Sequence, residues 1–416
     1  MTNLYNMTTT DLLKAVAAEE VGVFLTSNLH RQELYGKYDL LACGGVVRKC
    51  MTNDFEALQL FLKNAKGWVF GGMTYDMKNN LEKLVSNNHN RVGFEGLFFF
   101  EPAWVVIQDA DSQRLWKHPE ADLQTGPTPG KYAHYESDPV TLTAALSQEE
   151  YIRRVQKLQD HIQAGDIYEV TFCTEFFAEG AQINPAAMFN AINHRTQAPF
   201  AAFLKWGERY LMAGSPERYL AKRGATLISQ PIKGTAPRFV DAEQDAAAKL
   251  DLKASQKERS ENVMIVDLVR NDLSRVAVKG SVAVPELFGI HTFATVHQMI
   301  STVTARLDAE KTLVDAFKAT FPMGSMTGAP KIRAMQLIED FEPMQRGLFS
   351  GTVGYVDPEG DADFNVVIRA LQYHAETGAL SLQVGSAITI LANPEHEYQE
   401  CLLKARAIHE VLANPI

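Results

Sequence analysis

Apolar positions along the chain follow two rhythms. Up to about residue 115 they form short β-branched and aromatic runs broken by glycine, as in Leu40–Val47, Trp68–Met73, Gly96–Phe100 and Ala103–Ile107. Such runs predict strands. From His118 to Pro139 the sequence turns polar, and Pro119, Pro127, Pro129 and Pro139 predict a long surface connection. A helical rhythm then starts. Tyr151, Val155, Leu158 and Ile162 share one face, Ser147 and Glu150 have capping-box spacing, and Gly165 closes the element.

Beyond Gly165 helical and strand patterns mix without one-for-one alternation, which predicts an α+β fold with a largely antiparallel sheet rather than a doubly wound one. No glycine-rich dinucleotide fingerprint or P-loop is present. The pattern divides into an N-terminal part, 1–145, and a C-terminal part, 146–416, read as interleaved into one unit.

Composition narrows the function classes. The 416 residues are 46 % hydrophobic and 22 % charged, with a formal charge of −10. That balance is globular, and it argues against a nucleic-acid binder, which needs basic patches. An anionic substrate would need local positive charge, because the overall field opposes it. Cys43, Cys50, Cys173 and Cys401 have neither metal-ligand nor disulfide-framework spacing. No apolar run is long enough to span a membrane, and Met1–Asn6 does not open a secretion signal, so a cytoplasmic location is expected.

Candidate chemistry lies in four segments. Glu258 and Glu261 are three apart on a helix predicted around Lys253–Asp267, and Glu397 and Glu400 repeat the spacing on a helix capped by Asn393 and Pro394. Each pair alone reads more readily as a solvated acidic face. If the two faces met, they would form a hard oxygen site suited to Mg²⁺. Phe321–Lys331 has small residues before Pro330 and describes either an anion-binding helix start or a tight turn. Arg369 interrupts the strand-like run Phe364–Leu371, and a buried arginine needs a carboxylate, internal or from a ligand.

Together with Gly165–Val170, Gly214–Arg218 and Pro231–Thr235, these segments resemble, in order, the chorismate-utilising family, which includes anthranilate, aminodeoxychorismate, isochorismate and salicylate synthases. Tyr35–Leu40 and Gly71–Asp76 look like its N-terminal landmarks, so the resemblance covers nearly the whole chain. It implies two large antiparallel sheets packed as a sandwich with helices outside. It also implies Mg²⁺ held by Glu261 and Glu400, supported by Glu258 and Glu397. Arg369 matches the arginine that binds the enolpyruvyl carboxylate. Gly385 and the backbone near Ala387 match amides facing the substrate, and Thr327 and Lys404 fall beside it. Glu217 matches the acid that protonates the departing C4 hydroxyl, and His297 matches a histidine associated with pyruvate elimination. Phe349 stands where some members have a carboxylate-binding tyrosine, and Ala387 where many have glycine.

Two positions select a branch. Water-adding members carry a lysine base within the segment Tyr168–Phe172, where this chain has Glu169. Lys233 stands where aminodeoxychorismate synthases have lysine and anthranilate synthases alanine. The resemblance therefore implies amination at C4, with Lys233 adding at C2, and anthranilate formation is the alternative. Taken alone, Lys233 is a turn lysine. No cysteine lies in a nucleophile elbow, and the resemblance implies a separate glutamine amidotransferase as the source of ammonia. A chorismate- or tryptophan-binding regulatory subunit is the non-catalytic reading, with Phe24–Ser27 where tryptophan would lie.

Overall fold

The computed structural model describes residues 7–30, 35–109, 112–122, 124–128, 137–294 and 296–414. Part of the polar connection read at 118–139, and residues 1–6, lie outside this set. Every pairing between the named strands is antiparallel. One run of the ladder begins with β6 (Thr143–Ala144), β7 (Glu169–Ala178), β19 (Ala379–Ile388), β18 (Ala370–His374) and β9 (Arg209–Ser215). It continues through β8 (Phe200–Trp206), β1 (Val21–Thr26), β2 (Leu40–Thr52), β4 (Leu97–Asp109) and β5 (Ser112–Lys117). From β4 the ladder passes into β3 (Val69–Met73), β16 (Thr352–Val356), β17 (Ala362–Asn365), β10 (Arg218–Arg223) and β11 (Thr226–Gln230). It ends on β14 (Val296–Arg306), which also pairs with β12 (Ile232–Pro237) and β13 (Ala283–Thr292). A two-residue strand, β15 (Gly328–Ala329), lies along β7.

The two runs form the expected sandwich. Its inner layer joins Val23, Leu41, Leu204 and Leu211 of the first run to Phe70 and Val353 of the second. Helices cover both outer faces. On the first run lie α1 (Thr9–Ala18), α4 (Gln148–Gln163), α5 (Pro185–Thr196), α9 (Lys331–Phe341) and α10 (Pro394–Ala413). On the second lie α2 (Phe55–Lys63), α7 (Gln256–Ser274) and α8 (Leu313–Thr320). A short α3 (Lys78–Leu81) and the exposed α6 (Ala242–Ala254) complete the set. β1 to β4, all from the N-terminal part, sit between β8 and β16, with β5 paired to β4, so the two sequence parts share one hydrogen-bonded network.

Local chemistry explains the helix ends. Ser255 and Asn393 cap α7 and α10 by accepting from the amides of Glu258 and His396, as their spacing predicts. At α4 only half of the capping box forms: Ser147 accepts from Glu150 N, but the Glu150 carboxylate turns to Arg153 and Arg154, because an ion pair is available on its own helix face. Phe364–Leu371 is not one strand. β17 stops at Asn365 and β18 starts at Ala370, with Arg369 between them at φ 48°. No helix among the described residues is long and apolar enough to cross a membrane.

Candidate active site

Lys233 is not an exposed turn lysine. It leaves β12 where the register with β14 slips between Ile232 and Thr235, and Gly234 supplies the φ of 91° that the slip requires. Its side chain is about 10 % exposed, and its Nζ donates to Glu169 Oε1 at 2.6 Å. Glu169 opens β7 and is fully buried, and its second oxygen, Oε2, has no donor. Burial acts to lower the Lys233 pKa, but Glu169, Glu261 and Glu217 outweigh it and hold the ammonium above its ordinary value.

Glu217 sits in the bend between β9 and β10. Its carbonyl accepts from Val366 N at 3.0 Å and its amide donates to Ser215 Oγ at 3.3 Å, which fixes the bend. Burial pushes its carboxyl up to about 7, against the opposing effects of the Ser325 hydroxyl, Lys233 and the Ile232 amide. A carboxyl group with that pKa still carries its proton near neutral pH and can act as an acid there.

The two acidic helix faces share one electrostatic environment. Burial, reinforced by Glu169 and Glu258, pushes Glu261 up to about 7. Lys257, one turn before Glu261, is held above its ordinary range by Glu261, Glu258, Glu397 and Glu400, which outweigh its own burial. Glu397 is raised by burial and by Glu400. Glu400 resists its burial and stays low because of Lys404, Lys257 and Lys233. Lys404 bridges the helix and the sheet, donating to Glu400 Oε1 at 2.6 Å and to the carbonyl of Gly385 at 2.8 Å. Among the described residues no three His, Cys, Asp or Glu side chains converge closely enough to enclose an ion. Mg²⁺ needs only one or two carboxylates, with water and substrate oxygens completing its shell, so the donor chemistry of Glu258, Glu261, Glu397 and Glu400, which all act on Lys257, is of the kind that ion takes.

Arg369 faces the opposite deficit. Burial alone acts on it and lowers its pKa, and no carboxylate among the described residues pairs with it. Its carbonyl accepts from Gly214 N at 3.0 Å, which fixes its backbone while leaving the guanidinium unpaired. A desolvated guanidinium in this state is preorganised for a ligand carboxylate.

The model of a chorismate binding enzyme matches residues 39–410. The chain belongs to that family. It is 36 % identical over 359 residues to aminodeoxychorismate synthase component 1 of Klebsiella aerogenes, covering 83 % of this chain and 77 % of that one. Against anthranilate synthase component 1 of Thermus thermophilus the identity is 33 % over 359 residues, covering 82 % and 76 %. A longer relative, aminodeoxychorismate synthase of Streptomyces griseus, is 43 % identical over 264 residues, 63 % of this chain but 36 % of that one. Among solved structures, anthranilate synthase component I of Streptococcus pneumoniae superposes with a TM-score of 0.79 at 24 % identity, covering 89 % and 91 % of the two chains. The family and the sandwich fold read from the sequence are thus borne out.

Within this family member, other candidate residues fall into different settings. His297 is fully buried on β14, and both ring nitrogens are engaged, Nδ1 with Thr292 Oγ1 at 3.0 Å and Nε2 with Asp245 Oδ1 at 2.9 Å. Asp245 belongs to α6 and also accepts from Arg238, so His297 fastens that helix. The Thr327 hydroxyl donates within its own turn, to Met323 and Gly324 carbonyls, while its carbonyl accepts from Thr171 N. Lys331 is a brace rather than an anion-binding group: its Nζ donates to Asp272 at 2.5 Å and to the carbonyls of Thr320, at the end of α8, and Pro322. Gly385 and Ala387 lie in register with Cys173 and Thr171, and a Cβ on Gly385 would come within 2.4 Å of Cys173 Sγ. Phe349 is buried in the apolar layer under the second sheet. Leu25, Thr26 and Ser27 line a separate cleft of about 60 Å³, with Tyr38 and Phe200.

Two residues of the site escaped the sequence reading. Lys257 looks like any lysine on a charged helix, although its position four before Glu261 places it on the acidic face. Ser325 carries no signal beyond membership of the small-residue loop; only the tertiary approach to β10 brings it to Glu217.

Proposed function

We propose that this chorismate-binding enzyme is a transferase that converts chorismate and ammonia to 4-amino-4-deoxychorismate, the precursor of 4-aminobenzoate in folate synthesis. The observation that carries this reading is the buried Lys233 beside Glu217, a nucleophile and an acid in one pocket. The names of its relatives support it. Lys233 adds through its amine to C2, and the C4–oxygen bond breaks across the conjugated ring as Glu217 gives its proton to the departing hydroxyl. Ammonia then bonds to C4, and the C2–Nζ bond breaks to return the lysine. Arg369 binds the enolpyruvyl carboxylate. Gly385, Ala387 and Thr327 shape the wall beside the ring, and Lys404 adds positive charge.

Glu261 and Glu400 would hold Mg²⁺, with Glu258 and Glu397 supporting them through water. Bound there, the ion would supply positive charge to the ring carboxylate. A glutamine amidotransferase subunit would deliver the ammonia, in the cytoplasm. The 2-amination alternative, with pyruvate elimination, is disfavoured by Lys233 and by a His297 whose two nitrogens are both occupied. A purely regulatory subunit has no use for a protonated, buried Glu217.

Incubating the purified chain with chorismate, Mg²⁺ and an ammonium salt should give 4-amino-4-deoxychorismate by mass spectrometry. Anthranilate as the main product would overturn the proposal, and no turnover at all would favour the regulatory reading.

A further inference from the structure

Resting on the reading of Lys233 as nucleophile, we propose that Glu169 is the base that takes the lysine's proton and returns it once per turnover. An amine attacks only with a free lone pair, and among the described residues the acceptor bonded to Lys233 is Glu169 Oε1 at 2.6 Å. No water is needed to carry the proton between them. Glu169 is held in place from several sides. Its strand β7 is paired with β15 through Glu169 and Ala329, and with β19 from Val170 onward. Tyr168 N donates to Ala329 O at 2.7 Å and Thr171 N to Thr327 O at 2.8 Å. Lys233 is aimed at it by the slipped register of β12.

Lys233 rests as an ammonium, held so by Glu169, Glu261 and Glu217, so its lone pair must be freed when the substrate binds. Both side chains are buried, and Glu169 Oε2 has no donor, so the carboxylate is only half satisfied. A buried ion pair with an unmet acceptor is costly, and substrate that expels the remaining water makes it more so. Moving one proton from Nζ to Glu169 removes both charges and leaves the amine ready to react.

The protons balance around the cycle. Glu169 takes one proton from Lys233, the Nζ–C2 bond forms, and Glu217 gives its proton to the C4 hydroxyl, which leaves as water. Ammonia bonds to C4 and the C2–Nζ bond breaks, its electrons returning to nitrogen. The new C4 ammonium gives a proton to Glu217, and Glu169 gives its proton back to Lys233. The sum is chorismate plus ammonia to aminated product plus water.

Glu169→Gln keeps the shape and can still accept from Nζ, but cannot take up the proton. With ammonium as nitrogen source, kcat should fall by ~100-fold or more, the usual size of a general-base contribution. KM for chorismate should stay near wild type, and kcat should rise with pH as solvent hydroxide replaces the base, up to about 7, where loss of the Glu217 proton offsets the gain. Glu169→Asp, which restores a carboxylate, should recover the wild-type pH profile at a reduced rate. A Glu169→Gln enzyme with wild-type kcat and pH profile would overturn the proposal, as would an Asp variant that behaves like the Gln one. Lys233→Ala separates the two ideas. If it loses C4 amination while Glu169→Gln does not, only the base assignment fails. If Lys233→Ala aminates C4 at the wild-type rate, the nucleophile fails and Glu169 with it.

Discussion

Burial shifts both Arg369 and Glu217: it acts alone on Arg369, and on Glu217 it outweighs the Ser325 hydroxyl, Lys233 and the Ile232 amide. Arg369 loses hydration and gains no internal carboxylate, so a substrate carboxylate gains an interaction that water no longer contests. Hydrogen bonds to a charged group contribute ~1.5–3 kcal/mol. Replacing Arg369 by alanine should therefore raise KM for chorismate by roughly 10- to 150-fold, read from initial rates. Its Tm should stay level or rise, because a partly buried, unpaired charge is removed. Unchanged KM would place the carboxylate elsewhere. Glu217 is useful only while protonated. Its acid form prevails below about 7, so kcat should decline as pH rises through that value. Glu217→Gln should remove that limb and lower kcat by ~100-fold or more. A variant that keeps the alkaline decline would assign it to another group.

At the scale of elements, the helices that carry the acidic pairs were legible because a cap and a carboxylate spacing are local facts: Ser255, Glu258 and Glu261 are within seven residues of one another. Their shared influence on Lys257 was not, since α7 and α10 pack on opposite sheets and only the sandwich brings them within electrostatic reach of one another. Arg369 shows the complementary failure. Its apolar neighbours read as a continuous strand, whereas the break at Arg369 depends on β17 and β18 joining different runs of the ladder. The role of β15 was equally hidden, because two residues carry no periodicity. Gly328 in that strand lies so close to β7 that a Cβ would be 2.2 Å from the Glu169 carbonyl and 3.0 Å from Val170 Cα. The obstacle is backbone, which cannot swing aside as a side chain would. Gly328→Ala should thus push β15 off β7, at an overpacking cost of ~1–3 kcal/mol. A lower Tm and a drop in kcat should appear together, because Thr327 and Glu169 flank the displaced contact. A variant with normal Tm and kcat would show that the two strands separate without consequence.

For the whole molecule, the same burial that prepares the site opposes the fold. Glu217 and Glu261 titrate near about 7 when folded, whereas an unfolded glutamate titrates near ~4.3. Between those values the folded chain binds more protons than the unfolded one. Their favourable contribution is therefore fully present below the unfolded value and is lost as pH rises through about 7. A tenfold difference in proton affinity between the folded and unfolded chain corresponds to ~1.4 kcal/mol, so the two groups should make the fold a few kcal/mol less stable at pH ~8 than at pH ~5. The formal charge of −10 acts in the same sense. Below the ordinary aspartate range the sign reverses, because Asp363 and Asp361 are held low by Arg218, Arg223 and Lys37 despite their burial, and protonating them costs those pairs. The metal-free protein should accordingly have its highest Tm near pH ~5, with Tm falling toward pH ~8. Glu217→Gln combined with Glu261→Gln should flatten the slope and raise Tm at the alkaline end while abolishing turnover. Added Mg²⁺ should raise the wild-type Tm at pH ~8 by mass action, and it should do so far less in the Glu261→Gln chain. A wild-type Tm that stays level from pH ~5 to ~8 would mean that neither carboxyl group is buried as described, and would remove the acid from the proposed reaction as well.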